Sequence, residues 1–276
     1  MARHHPAVRA AVMSARDEGH ERIALVTGGA SGIGLATAGV LSERNWRVVI
    51  ADINAERSHA AAAQLGADVA AFDVSDPGAT EAAVADIESR IGPISALVAN
   101  AGLIQSPLTP EQFPLADFDR IVEVNLRGVY ISCVAAGRRM LTRGSGGIVI
   151  TGSVTASRTA PLHAYAPTKA AVVHMAACLA AEWGRSGVRV NAVSPGYTAT
   201  PALLAAIQSG QRDEALIREA AALGRLVEPD EIGRAVAFLL SDDAAAITGI
   251  DLPVDAGWLC GSHLTTYGGV RPKRVL

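Results

Sequence analysis

From residue 22 onward, short apolar runs rich in Val, Ile and Ala alternate with longer Ala/Leu stretches of helical spacing. The strand candidates are RIALVTG, RVVIAD, ADVAAFDV, ISALVANAG, GGIVITGS, GVRVNAVSPG and TGIDLPVDAG. Between them lie helical candidates such as LATAGVLSERN, DPGATEAAVADIESRI and DEIGRAVAFLLSDD. Runs that are apolar throughout suit strands covered on both faces, and the intervening helices supply that cover. Right-handed crossovers then join the strands into a mainly parallel sheet. The expectation is α/β: a doubly wound, seven-stranded sheet with helices on both faces. No repeat or Pro/Gly linker divides residues 22–276, so they form one domain.

The bulk properties agree. A chain of 276 residues with 50% hydrophobic and 18% charged residues buries a sizeable core and is not disordered. A net charge of −3 gives no reason to expect a nucleic-acid or membrane-surface partner. Residues 1–21 hold basic residues but no apolar core of signal-peptide length, and read as a flexible leader. With no apolar run near the ~18 residues of a membrane span, the expected location is cytoplasmic. Cys133, Cys178 and Cys260 are widely spaced, form no CxxC pair, and read as buried small hydrophobes. The histidines show no metal-like clustering.

In such sheets ligands bind beyond the carboxyl ends of the strands. There the sequence places TGGASGIG, Thr27 to Gly34, between the first strand and its helix. Glycines let the backbone turn tightly and approach a pyrophosphate, while the helix N-terminus offers free N–H groups and a favourable dipole. An acid, Asp52, ends the second strand 18 residues beyond Gly34, close to the spacing of a ribose-binding carboxylate. Asp52 is otherwise free to cap the next helix. As a ribose ligand it accepts from both hydroxyls and repels a 2′-phosphate, and Ile53 and Asn54, not bases, follow it. The reading is a Rossmann-type site for NAD rather than NADP.

The stretch SVTASRTAPLHAYAPTK carries Ser153, Tyr165 and Lys169. Tyr165 and Lys169 are four apart and share a helix face. A phenol has an ordinary pKa of about 10; an adjacent ammonium can lower it by roughly 1–3 units, towards useful acid–base strength. Alone, the spacing fits a surface pair with Ser153 as a helix cap as well as it fits an active site. Beside the glycine loop and Asp52 it reads as an active site.

The ordered motifs TGGASGIG, DV at Asp73–Val74, ANAG at Ala99–Gly102, VNLRG, YAPTK, RVNAVSPGYTAT and ITGIDLPVDAG resemble the short-chain dehydrogenase/reductases, from Ile23 to Gly257. The resemblance implies a nicotinamide-dependent oxidoreductase, usually a homotetramer, with Asn125, Ser153, Tyr165 and Lys169 catalytic. Asn125 would hold a water in the proton path to Lys169, and Ser153 would bond the substrate oxygen. The same carry-over gives the dinucleotide contacts to Gly28, Ser31, Gly32, Ile33, Gly34, Asp52 and Ile53. Asp73 and Val74 flank the adenine, and Asn100, Ala101 and Gly102 follow with Tyr165 and Lys169. Pro195 and Gly196 pass the nicotinamide, while Thr198 and Thr200 meet its carboxamide or the pyrophosphate. Three positions depart from the common pattern: ANAG for a double-Asn form, Pro167 inside the Tyr–Lys box, and Ala256 where Gly is typical.

Residues 199–225 interrupt the alternation and read as a substrate lid, or else as a surface helical insertion. Thr155, Tyr197 and, in one of two readings, His163 join Ser153 and Tyr165 at a small-molecule pocket; in the other reading His163 merely sits in its loop. The implied substrate is a small polar secondary alcohol, a sugar or polyol, or a hydroxy acid. The alternatives are a 3-oxoacyl thioester reductase and a non-catalytic dinucleotide sensor. The tail, 258–276, carries Trp258, Leu259, Leu264 and Tyr267 without helical or strand period. It is expected at a subunit contact, within reach of a neighbour's site, or else folded on its own subunit.

Overall fold

Each apolar run becomes a strand in the computed structural model, which describes residues 21–271. The first half runs β1 (Ile23–Thr27), α1 (Gly32–Glu43), β2 (Arg47–Asp52), α2 (Ala55–Leu65), β3 (Asp68–Ala71), α3 (Pro77–Arg90) and β4 (Ile94–Ala99). Helix α4 (Leu115–Val122) follows, then a π-type turn (Glu123–Gly128), α5 (Val129–Arg143), β5 (Gly146–Thr151), α6 (Tyr165–Trp183) and β6 (Val188–Pro195). The last part is α7 (Pro201–Gln208), α8 (Glu214–Ala220), α9 (Pro229–Leu240), β7 (Asp251–Val254) and α10 (Trp258–Gly261).

The strands lie in the order β3-β2-β1-β4-β5-β6-β7, and every pairing is parallel. From β1 the chain winds outward through β2 and β3, then returns to start β4 on the other side. That reversal opens a crevice at the carboxyl ends of β1 and β4, where α/β sheets bind ligands. One face packs Leu25, Leu97 and Ile148 against Ile87, Met140 and Val172 of α3, α5 and α6. The opposite face packs Val26, Ile50 and Val98 against Leu41 of α1 and Ile232 and Leu239 of α9. Burial on both faces explains why the strands read as continuous apolar runs.

Pro167 falls in the first turn of α6, where a missing N–H has no helical partner to lose. Ala256 adopts φ 53°, the left-handed region that favours glycine, so its Cβ stores strain just before the tail. Two cysteines differ from expectation: Cys133 is buried, and burial pushes its thiol up to about 12, but Cys178 and Cys260 are exposed. Each exposed cysteine sits on a helix face that no described residue covers, a fact that apolar composition alone does not reveal. No helix among the described residues is long and apolar enough to cross a membrane. The leader, apart from Glu21, lies outside the described residues.

The tail is not periodless. Residues 258–261 form α10 and Leu264–Tyr267 a 3-10 turn. It lies against its own subunit: Trp258 meets Tyr197 edge-on with ring centroids 5.5 Å apart, and Arg158 Nη2 donates to Leu259 O. Residues 272–276 lie outside the described range.

Candidate active site

The glycine loop is shaped by the strand beside it. Gly28 has φ +64°, and a Cβ there would stand 2.8 Å from Ala101 Cα; one on Gly34 would overlap Gly28 O. Glycine is thus required for the loop to nest on the ANAG segment. Asn100 fastens the two: its Nδ2 donates to Thr27 O and Gly28 O, both at 3.2 Å, and its Oδ1 accepts from Thr151 Oγ1 at 3.2 Å. Its side chain therefore ties together the ends of β1, β4 and β5 instead of reaching outward. Ser31 starts α1 without a side-chain cap bond, which leaves the first N–H groups of that helix free for an anion.

A cleft of about 550 Å³ runs from this loop. Gly28, Ser31, Gly32, Ile33, Asp52, Ile53, Asp73, Val74, Asn100, Ala101, Gly102, Tyr165, Lys169 and Thr200 line it, bringing most of the expected dinucleotide contacts together. Gly34 lies beneath it as packing. Asp52 is not the helix cap: Asn54 Oδ1 accepts from Arg57 N at 2.8 Å and caps α2, while Asp52 Oδ1 accepts from Asn54 N at 3.0 Å. The Asp73 carboxylate is held by Ser75 and by Arg120 Nη2 at 2.8 Å; burial would raise its carboxyl, but these bonds outweigh it and lower it. Some lining residues escaped the sequence reading, among them Phe72, Arg120 and Arg57. Arg57, one turn into α2, also lines the cleft, although neither neighbour of Asp52 is basic. The signal was available, since the first turn of a helix after the second strand faces the same crevice.

A second chamber of about 520 Å³ adjoins the cleft, and the two share Ile33, Ile104, Thr151, Tyr165, Thr200 and Ala202. Tyr165 thus stands at their junction. Ser153, Thr155, Pro195, Gly196, Tyr197 and Thr198 line the chamber, as does Trp258 from the tail. Ala202, Leu203 and Ala206 of α7 and Gln211 and Arg212 of the loop after it also line it. His163 is exposed, lines neither cavity and lies near Glu111, so of its two readings the geometry matches the loop. The step from His163 into α6 turns Tyr165 inward and leaves the residue two earlier on the outside.

Ser153 Oγ accepts from Thr155 N at 3.2 Å and Thr155 Oγ1 at 3.0 Å, leaving its own proton to bond the Tyr165 phenol. Lys169 is buried, its Nζ donates to Thr151 O at 2.8 Å, and it lies 5.6 Å from the Tyr165 ring centroid. Burial lowers its ammonium to about 8. Tyr165 differs from expectation: burial raises the phenol above its ordinary value, and the Ser153 bond only partly opposes this. The four-residue spacing foretold the shared face but not the desolvation, which acts on both groups and weakens the ammonium meant to help. Asn125 lies in the π-type turn, a feature frequent at functional sites. Its Oδ1 accepts from Leu103 N at 2.7 Å and its Nδ2 donates to Leu103 O at 2.9 Å. The side chain therefore holds the Gly102–Leu103 loop. Among the described residues no cluster of His, Cys, Asp or Glu could hold a metal.

A crevice at the switch point, a glycine loop on a helix N-terminus and a buried Tyr–Lys pair define a dinucleotide-binding oxidoreductase. The chain belongs to the short-chain dehydrogenase/reductase family, whose cofactor is a nicotinamide dinucleotide. A family model described as Enoyl-(Acyl carrier protein) reductase matches residues 28–259. D-threitol dehydrogenase of Mycolicibacterium smegmatis is 41% identical over 244 residues, covering 86% of this chain and 92% of that protein. Among solved structures, one named ribose-5-phosphate isomerase from Brucella melitensis 16M is 42% identical with a TM-score of 0.89, covering 91% and 98%. A 3-ketoacyl-(acyl-carrier-protein) reductase from Brucella melitensis, complexed with NADH, is 33% identical with a TM-score of 0.81, covering 86% and 98%.

Proposed function

We propose that the protein is an NAD(H)-dependent oxidoreductase that interconverts a small polar secondary alcohol and its ketone. The observation that carries this is the position of Tyr165, where the dinucleotide cleft meets the second chamber, with Ser153 bonded to its phenol. When bound, oxidised nicotinamide supplies the hydride acceptor and a positive charge beside the phenol. Tyr165, as phenolate, removes the hydroxyl proton of the alcohol as its carbinol C–H bond breaks. With substrate bound, Ser153, held by Thr155, turns its one proton from the phenol to the substrate oxygen as that oxygen becomes a carbonyl. Lys169 stands behind Tyr165 as a cation that stabilises the phenolate, and Asn125 fixes the loop between the two cavities. In the reverse direction Tyr165 returns the proton.

The cradle fits the group: an uncapped helix N-terminus for the pyrophosphate and a carboxylate, Asp52, that is not used as a cap, at the far end. A 2′-phosphate would face Asp52 with like charge, which supports NAD over NADP. Arg57 on the same wall softens that repulsion. Exposed apolar side chains on α4 and α5 (Leu115, Phe118, Tyr130) and near the last strand (Phe238, Ile250) support a homotetramer.

The 3-oxoacyl thioester reading has one observation in its favour, the similar carrier-protein reductase solved with NADH, since Asp52 then no longer argues against it. A direct test separates the two. NAD reduction is followed at 340 nm with threitol and other secondary alcohols, and NADH oxidation with a 3-oxoacyl thioester. Alcohol-driven NADH formation supports the proposal. Thioester reduction without any alcohol oxidation would replace it.

A further inference from the structure

The second chamber has a one-sided charge. Its walls include Ile104, Pro107, Leu162, Leu203 and Trp258, and among the described residues no Asp or Glu lines it. Among the described residues its sole lining residue with a permanent charge is Arg212, half-buried between α7 and α8. Arg212 is placed by its backbone N, which donates to Ala206 O at 3.1 Å, and by Nη1, which donates to Gln211 O at 3.2 Å. The acids that follow it are committed elsewhere. Asp213 Oδ1 accepts from Ala215 N and Leu216 N at the start of α8, and Glu214 pairs with Arg218. The guanidinium therefore faces the chamber with most of its five donors unused.

Gln105 adds an independent observation. It is 2% exposed and lines the same chamber. Its Oε1 accepts from Ala164 N at 2.7 Å and Tyr165 N at 3.2 Å, which fixes the amide, and its buried Nε2 has no partner. An unpaired buried donor is costly unless a ligand meets it. The chamber thus offers a cation and an idle N–H but no carboxylate. A hydroxyl both donates and accepts, whereas a carboxylate accepts only and matches a guanidinium in two parallel bonds.

We propose that the substrate carries a carboxylate, bound by Arg212 while the carbinol lies at Tyr165, with Gln105 Nε2 donating to a substrate oxygen. The substrate class is then a hydroxy acid and its oxo acid. This rests on the secondary-alcohol reading above and narrows it.

The test uses matched pairs of secondary alcohols of increasing length, among them threonate and 4-hydroxycyclohexanecarboxylate, each as the free acid and as its methyl ester. The wild type should favour the acid of its best pair by about tenfold or more in kcat/KM, the scale of a charged hydrogen bond. Arg212→Gln should abolish that preference through KM, and Arg212→Lys should keep part of it. Esters used as well as acids, or an acid-to-ester ratio unchanged in Arg212→Gln, overturns the proposal while leaving the alcohol reading intact. No NAD reduction with any acid, ester or neutral polyol sinks the alcohol reading, and this inference with it.

Discussion

Replacing Asn125 with Ala separates a side chain that holds a loop from one that conducts protons. The Asn125 amide makes two bonds to one main-chain unit, accepting from Leu103 N and donating to Leu103 O at 2.7 and 2.9 Å, and it is 0% exposed. Each such bond contributes about 1 kcal/mol net, and a buried group left without its partner costs about 1–3 kcal/mol. Leu103 itself is 40% exposed, so water reaches part of its backbone and the lower end applies. For the two Leu103 groups left unpaired the cost is about 2 kcal/mol. In a domain of this size 1 kcal/mol moves Tm by about 2–4 °C, so Asn125→Ala should melt roughly 4–8 °C lower. Because Gly102 and Leu103 line the dinucleotide cleft, NADH should also bind more weakly. Scanning calorimetry and quenching of tryptophan fluorescence by NADH read the two effects. An unchanged Tm with unchanged NADH affinity, and a loss in kcat alone, would refute the loop-holding role and restore the side chain as a water ligand.

Lys169 sets a pH window for stability. Its folded value of about 8 lies below the ordinary 10.5, so between these the unfolded chain binds the extra proton and stability rises with pH. Tyr165, raised by burial, works in the opposite direction only above its ordinary value of 10.0. Between pH 8 and 10 Lys169→Met should therefore flatten a rise on the order of 2 kcal/mol, read by urea melts; an identical slope in the two proteins would contradict the buried ammonium. For cofactor choice, Asp52→Ala should narrow the preference for NAD over NADP, with Arg57 then facing a 2′-phosphate unopposed. Equal affinity for the two cofactors in the unaltered protein would remove Asp52 as the selector. Light scattering at micromolar concentration should give about four chain masses, and a monomer would exclude the tetramer.

The sheet was legible because its strands are buried on both faces: runs such as Val48–Ile50 and Ile148–Ile150 have no polar residue to disguise them. The site was legible where chemistry depends on spacing along one element, as with Tyr165 and Lys169 on α6 or the glycines opening α1. It was not legible where two segments meet without periodicity. Arg57 and Asp52 are joined by a helix start, Trp258 reaches Tyr197 from the tail, and Gln105 caps α6 from a loop after β4. Desolvation was hidden for the same reason. It depends on everything packed around Tyr165, and it reversed the direction expected from Lys169 alone.

The account rests on Tyr165 as the acid–base group between the two cavities, and Tyr165→Phe tests it with the ring kept and the phenol removed. Steady-state turnover and NADH affinity are measured on the same preparation. Turnover should fall by at least about 10²–10⁴-fold, the range of a lost general acid–base, while NADH affinity stays within about twofold. Turnover close to wild type, with the cofactor still bound, would contradict the assignment.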